Sequence, residues 1–150
     1  ALDGGQVTDD VILAAAGRTG LIDVIQNCEG GLDYELVDGG ENLSAGERQL
    51  VAFTRMLLRD PAILMLDEAT ANIDERCERL IQSATFELMQ GRTSFVIAHR
   101  LSTIINCDLI FVFADGKIIE QGNHVELMAL GGHYARLAST QLATGVDKQK

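Results

Sequence analysis

The chain has 150 residues, 47% of them hydrophobic and 23% charged, and its net charge is −10. A chain of this size is long enough to bury a core. Its mean hydropathy of +0.11 and its regularly spaced apolar positions argue against intrinsic disorder. Residues 1–47 hold ten acidic residues and one basic residue, so nearly all the excess charge lies in the first third. This acidity argues against a nucleic-acid partner, because phosphate binding requires a basic face.

The sequence contains no segment typical of membrane insertion or secretion. No apolar run reaches the roughly 18–20 residues that cross a bilayer, and residues 1–10 have neither the basic nor the apolar region of a signal peptide. The first residue is not methionine, from which we expect the chain to start within a longer protein. Cys28, Cys77 and Cys107 are far apart, so we expect reduced thiols in a cytosolic setting.

The first 60 residues are predicted to be mainly helical. Apolar positions at helical spacing in residues 9–28 predict two short helices with a break at Gly20. An irregular acidic stretch follows. Ser44 and Glu47 then form the pattern of a capping box at the start of a third helix. Asp60-Pro61 is predicted to end that helix.

The middle of the chain is predicted to form a β-α-β unit. Residues 62–66 (AILML) are an unbroken apolar run, which predicts a strand buried on both faces. Residues 75–90 have helical spacing, and residues 93–98 are strand-like. Two strands joined through a helix with short links predict a parallel sheet.

The last third is predicted to hold a hairpin and two helices. Asp115-Gly116 lies between the strand-like residues 108–114 and 117–121 and is a strong signal for a two-residue hairpin turn. Residues 123–130 and 132–142 are predicted to be helical.

Three groups of residues are candidates for chemistry. Asp67 and Glu68 directly follow an apolar strand, at the end where parallel sheets bind ligands. One of them could hold Mg²⁺ while the other polarises water. The alternative is that both are ordinary solvated acids at the exit of a strand. Ser44 at a helix start offers an anion site, reinforced by about half a positive charge from the helix dipole. Ser44 and Glu47 acting only as a helix cap is the alternative there. His99 follows the next strand and could reach the same ligand, or be structural.

Taken together, these motifs resemble the nucleotide-binding domain of ABC transporters. Residues 43–49 (LSAGERQ) resemble the family's signature motif, and residues 62–68 (AILMLDE) resemble its Walker B strand. Residues 71–74 (ANID) are similar to its D-loop, and His99 in IAHRLSTI is similar to its switch histidine. Residues 38–42 resemble the loop before the signature, through which exporters contact their coupling helices. The resemblance extends from about Asp9 to Leu142.

The resemblance implies an α/β fold: a P-loop NTPase (RecA-like) half-core with a parallel sheet, plus an acidic helical signature subdomain. The implied divisions are a helical subdomain at 1–60, the C-terminal part of the ATPase core at 61–142, and a flexible tail at 143–150. ATP and Mg²⁺ are the implied cofactors. Asp67 would hold Mg²⁺ through water, Glu68 would polarise the attacking water, and His99 would contact the γ-phosphate.

The resemblance also implies partners. Two such domains would clamp two ATP molecules head to tail, with Ser44, Gly46 and Glu47 facing the nucleotide of the opposite domain. Asp74 would link the two sites. A transmembrane domain would place the chain at the cytoplasmic face of the membrane. Phosphoryl transfer depends mainly on positioning and charge stabilisation, which explains why only a few side chains are implied to take part in the chemistry.

Several features bear on the branch of the family. Ala69-Thr70 after the acidic pair, and the IAHRLSTI segment, are typical of exporters of the multidrug or lipid type. Alanine at 45 and glutamate at 47 depart from the usual LSGGQ, and the chain contains no GxxxxGK[ST]. Two alternatives remain open: a soluble ABC ATPase of the chromosome or DNA-repair kind, and a truncated, non-catalytic interaction module.

Overall fold

The computed structural model describes residues 7–67, 73–98 and 100–146, with side chains described to residue 141. The chain divides into two compact units, residues 1–96 and residues 97–150. Within the described part, no helix combines the length and apolar character needed to cross a membrane. The three cysteines are free, as predicted.

The first unit begins with two helices, α1 (Asp9–Thr19) and α2 (Ile22–Asn27). Gly20 ends α1 in the left-handed conformation, with φ of 79°, which confirms the predicted break. Two 3₁₀ turns, Gly31–Asp33 and Asp38–Gly40, occupy the acidic stretch that follows.

Helix α3 (Ala45–Arg59) is the longest element before the sheet and begins with the predicted capping box at Ser44. It ends at Asp60, which adopts a left-handed φ of 45° immediately before Pro61. One face of the helix is buried, and the buried residues are Gly46, Leu50, Phe53, Thr54 and Leu57.

A parallel sheet of two strands, β1 (Ile63–Asp67) and β2 (Thr93–Ile97), is joined through α4 (Glu75–Met89). This confirms the predicted strand-helix-strand order. Helix α4 packs against α1 and α3, and the shared core includes Leu50, Leu64 and Leu88. The predicted division at residue 60 falls inside this core and stays a prediction.

The expectation that the 62–66 strand is buried on both faces was wrong. Leu64 is 3% exposed, whereas Ile63 is 62% and Met65 82% exposed, and Phe95 of β2 is also exposed. Successive side chains of a strand point to opposite faces, and the core residues cover only the Leu64 face. An apolar run shows that both faces of a strand can be buried. It does not show whether other elements of the chain cover both faces.

The second unit contains a short helix, α5 (Leu101–Ile104), and the predicted hairpin. Strands β3 (Ile110–Ala114) and β4 (Lys117–Gly122) pair antiparallel, with one irregularity after Val112. Asp115 and Gly116 have φ of 50° and 72°. Both central residues are therefore left-handed, as the favoured two-residue turn requires.

Two helices complete the second unit, α6 (His124–Leu130) and α7 (His133–Val146). The predicted end of the last helix at Leu142 was too early, because α7 continues to Val146 and no proline follows to stop it. Residues 143–146 of the predicted tail are therefore helical. Residues 147–150 of the predicted tail lie outside the described residues.

A carboxylate from the hairpin caps α7. Glu120 of β4 accepts hydrogen bonds from the backbone N–H groups of His133 (2.5 Å) and Tyr134 (2.9 Å). These bonds hold the pKa of Glu120 below its ordinary value. Tyr134 is also hydrogen-bonded to His124 of α6 at 2.7 Å, so side chains connect the hairpin and both helices.

Candidate functional site

Ser44 stands at the exposed N-terminal end of α3. Its Oγ accepts a hydrogen bond from the backbone N–H of Glu47 at 3.2 Å, and the Glu47 carboxylate accepts one from the backbone N–H of Ser44 at 2.7 Å. The capping box is therefore confirmed. First-turn amides such as those of Ala45 and Gly46 have no partner within a helix, so they offer donors to an anion.

Gly46 lies where α3 comes closest to the start of α4. A Cβ atom at this position would lie 2.8 Å from Cβ of Cys77, 3.1 Å from its Sγ, and 3.3 Å from Cγ2 of Ile73. The first of these distances is shorter than carbon atoms tolerate. The absence of a side chain at Gly46 thus allows the N-terminal ends of α3 and α4 to lie side by side.

Asp74 caps α4. Its Oδ1 accepts a hydrogen bond from the backbone N–H of Cys77 at 3.0 Å, and this bond is the main cause that lowers the pKa of Asp74. At pH values above the ordinary pKa of 3.8, the cap therefore contributes fully to the stability of the folded chain. That contribution is lost as the pH falls through the lower pKa of the folded state. Burial, followed by the bond to Asp74, raises the pKa of the Cys77 thiol, so this cysteine stays protonated near neutral pH.

The structure therefore brings Ser44, Gly46, Glu47 and Asp74 to neighbouring helix ends, since Gly46 contacts Cys77 in the first turn of α4. The carboxylate of Glu47 acts on Cys77 as well, adding to the rise of its pKa. Two neighbouring helix N-termini, one of them with the exposed Ser44 as its cap, can bind an anion.

Asp67 is the last residue of β1 and is exposed. It lies at the edge of the parallel sheet where β1 ends, and its role as a ligand to Mg²⁺ stays a prediction. The predicted residues Glu68 and His99 lie outside the described residues, as does the first half of the predicted D-loop, residues 71–72. Among the described residues, no group of three or more histidine, cysteine or acidic side chains could hold a metal ion. Asp67 can supply a single carboxylate.

Sequence reasoning missed two contacts of the site. One is the close approach of Gly46 to Cys77 and Ile73, for which a glycine inside the first turn was the available signal. The other involves Arg48, whose Nη1 donates to the carbonyl oxygens of Gly40 and Leu43. The only sequence signal for this contact was that Arg48 is a basic residue directly after the acidic first third of the chain.

An apolar groove of about 270 Å³ lies between α1, α2, α3 and the segment before α3. Its lining includes Leu21, Ile25, Leu36, Leu43 and Leu58. Leu36 and Leu43 flank residues 38–42, the loop predicted to contact a membrane domain. The groove therefore adjoins that loop.

Comparison with known proteins gives consistent matches. Residues 13–71 match the ABC transporter family. The chain is 50% identical over 142 residues to the β-(1→2)glucan export ATP-binding/permease protein NdvA of Nitrobacter winogradskyi, covering 95% of this chain and 23% of that protein. It is 50% identical over 134 residues to the ATP-dependent lipid A-core flippase of Methylobacillus flagellatus, covering 89% of this chain and 23% of the flippase.

A solved structure is also similar. The structure of a bacterial Atm1-family ABC exporter with ATP bound matches with a TM-score of 0.76 and 39% sequence identity. The match covers 91% of this chain and 24% of that exporter chain. The chain thus spans about a quarter of the length of the proteins it resembles.

Proposed function

Because this chain belongs to the ABC transporter family, as part of the ATP-binding domain of an exporter, we propose that it takes part in ATP hydrolysis coupled to export across a membrane. The observation that carries the proposal is the pairing of two helix N-termini, with Ser44 exposed at one and Asp74 at the other. Relatives named as exporters and flippases support export over the chromosome-maintenance alternative.

We propose that one side of the reaction lies at the ends of the parallel strands. The exposed carboxylate of Asp67 fits a water-mediated Mg²⁺ ligand, because Mg²⁺ is usually held by one or two carboxylates together with phosphates and water. Bound Mg²⁺ would neutralise charge on the phosphates. Glu68 polarises the attacking water, and His99 holds the γ-phosphate in position.

The other side of the reaction is proposed to lie at the N-terminus of α3. Ser44 and Gly46 contact the γ-phosphate of ATP held by a second nucleotide-binding domain. Glu47 acts through Ser44, because its carboxylate is hydrogen-bonded to the Ser44 amide. Asp74, at the adjacent helix end, connects the two sites of a head-to-tail dimer. The functional halves would thus be 1–60 and 61–142.

A transmembrane domain is the second proposed partner. The apolar groove and the exposed Leu36 and Val37, which are 48% and 55% exposed, lie on and beside the segment before α3. An apolar surface of this kind suits a helix from a membrane domain. The chain would then function at the cytoplasmic face of the membrane.

Substitutions of Ser44 test this assignment because they separate capping from phosphate contact. Aspartate is as good a helix cap as serine, so Ser44→Asp keeps the domain folded but places a negative charge against the γ-phosphate. We expect ATP turnover of the complete protein to fall about tenfold or more. Ser44→Ala instead removes the cap and lowers the free energy of unfolding by about 1 kcal/mol.

Steady-state ATP hydrolysis and thermal unfolding are the two measurements, with Ser44→Thr as the control that keeps both a cap and a neutral hydroxyl. Wild-type turnover in a folded Ser44→Asp protein would remove Ser44 from the phosphate site.

A further prediction concerns the chain by itself. It contains no GxxxxGK[ST] sequence to cradle the phosphates of ATP, so we expect it to bind MgATP much more weakly than micromolar. Isothermal titration calorimetry measures this directly. Micromolar binding would mean that the nucleotide is held by residues other than those proposed.

A further inference from the structure

The segment that precedes α3, residues 34–43, is organised around one amide side chain. Asn42 Nδ2 donates to the carbonyl oxygen of Glu35 and to the hydroxyl of Tyr34, both at 3.0 Å, and its Oδ1 accepts from the backbone N–H of Val37 at 3.2 Å. We call residues 34–43 the pre-helix segment. Its exposed apolar side chains, Leu36 and Val37, are therefore held on a hydrogen-bonded frame rather than on free chain.

Arg48 connects the pre-helix segment to α3. Its Nη1 donates to the carbonyl oxygens of Gly40 at 3.2 Å and Leu43 at 2.5 Å. Both acceptor residues are buried. The Gly40 carbonyl also accepts from the backbone N–H of Leu43 at 2.9 Å, so Arg48 joins a closed turn whose two ends it contacts.

The hydrogen bonds from Arg48 limit how the pre-helix segment can move relative to α3. Leu43 is buried and lines the same groove as Leu58 of α3, so packing already holds the end of the segment against the helix. The exposed residues 36–39 could still swing about the backbone without moving the helix. Attachment through Arg48, one turn further along α3, removes that freedom. A force applied at Leu36 or Val37 then reaches Ser44 and the first turn of α3.

We propose that Arg48 is a positioning residue that makes the pre-helix segment and the N-terminus of α3 move as one body, so that a protein contact on Leu36 and Val37 sets the position of Ser44. The inference rests on the proposed function, in which Ser44 contacts nucleotide. In this proposal Arg48 has no direct role toward the nucleotide or the partner. It acts through the two backbone carbonyls.

The chemistry of the link selects the variants. A single nitrogen atom serves both carbonyls, so the planar fork of arginine is not required, and the three donors of a lysine ammonium can replace it. Arg48→Lys should keep the link. Arg48→Gln is shorter, is uncharged and should lose it. Arg59→Gln is the matched control, because it removes the same charge from the exposed last turn of the same helix.

The experiment measures amide hydrogen exchange and ATP turnover in the complete protein. In Arg48→Gln we expect exchange at Leu43 and Ser44 to rise about tenfold and kcat to fall by a similar factor, the size expected for a hydrogen bond from a charged donor. KM for ATP should change less than kcat, because most of the nucleotide is proposed to be held by residues of the other domain, which Arg48 does not touch. Arg48→Lys and Arg59→Gln should behave as wild type.

Exchange of the α4 amides, which Arg48 does not contact, reports whether each variant is folded. Unchanged exchange at Leu43 in Arg48→Gln would overturn the link, and faster exchange with unchanged kcat would overturn its role in positioning Ser44. An Arg48→Lys protein as impaired as Arg48→Gln would also count against the proposal. If the wild-type protein fails to hydrolyse ATP, the proposed function fails, while the exchange result still decides whether the link exists.

Discussion

Replacing Glu68 with glutamine in the complete protein is expected to lower ATP turnover by roughly 10²–10⁴-fold, the usual contribution of a general base. Glutamine keeps the size of the side chain but cannot accept a proton from the attacking water. Binding of ATP should persist, because the proposed role of Glu68 concerns water rather than nucleotide. Phosphate release under saturating MgATP measures the loss.

Glu29→Gln is a matched control, since it makes the same substitution at an exposed turn residue to which no role in the reaction is assigned. It should hydrolyse ATP at the wild-type rate. Turnover of Glu68→Gln within about threefold of wild type would remove Glu68 from the role of general base.

The second large effect is expected at Gly46. Its replacement by alanine should lower the free energy of unfolding by about 1–3 kcal/mol, because the added methyl group overpacks the contact between α3 and α4. The clash involves Cβ and Sγ of Cys77, which would lie 2.8 and 3.1 Å from the new carbon atom. Urea denaturation of the ATP-binding domain measures the change.

Gly17→Ala is the control for Gly46→Ala. Gly17 also lies within a helix, but a Cβ atom there meets nothing within 4 Å, so alanine should stabilise α1 through its higher helix propensity. A double variant with Cys77→Gly should be less destabilised than the two single changes added together. Equal effects of Gly46→Ala and Gly17→Ala would contradict the proposed close approach.

Local features of the fold were predictable from the sequence because their signals lie within a few residues. The capping box of Ser44 and Glu47, the end of α3 before Pro61, and the hairpin turn at Asp115-Gly116 each depend on backbone geometry that particular side chains favour. The parallel pairing of β1 and β2 followed from the order of strand, helix and strand.

Features that depend on distant residues were not predictable in the same way. The exposure of Ile63 and Met65 depends on which elements cover the sheet, and the approach of Gly46 to Cys77 depends on how two helices pack. The role of Arg48 depends on the path of the chain before α3. For the site itself, the helix-end positions of Ser44 and Asp74 are observed. The roles assigned to them and to Gly46 remain predictions, as do those of Glu68 and His99.

The bond between Glu120 and the start of α7 has a consequence for how the chain opens. If α7 detaches, the carboxylate loses both amide donors and the buried Leu127 loses the cover of Tyr134 and Ala138. The cost of that opening is shared with the hairpin, so α7 and the hairpin belong to one cooperative unfolding unit. The beginning of α7 is therefore protected from fraying and from proteases.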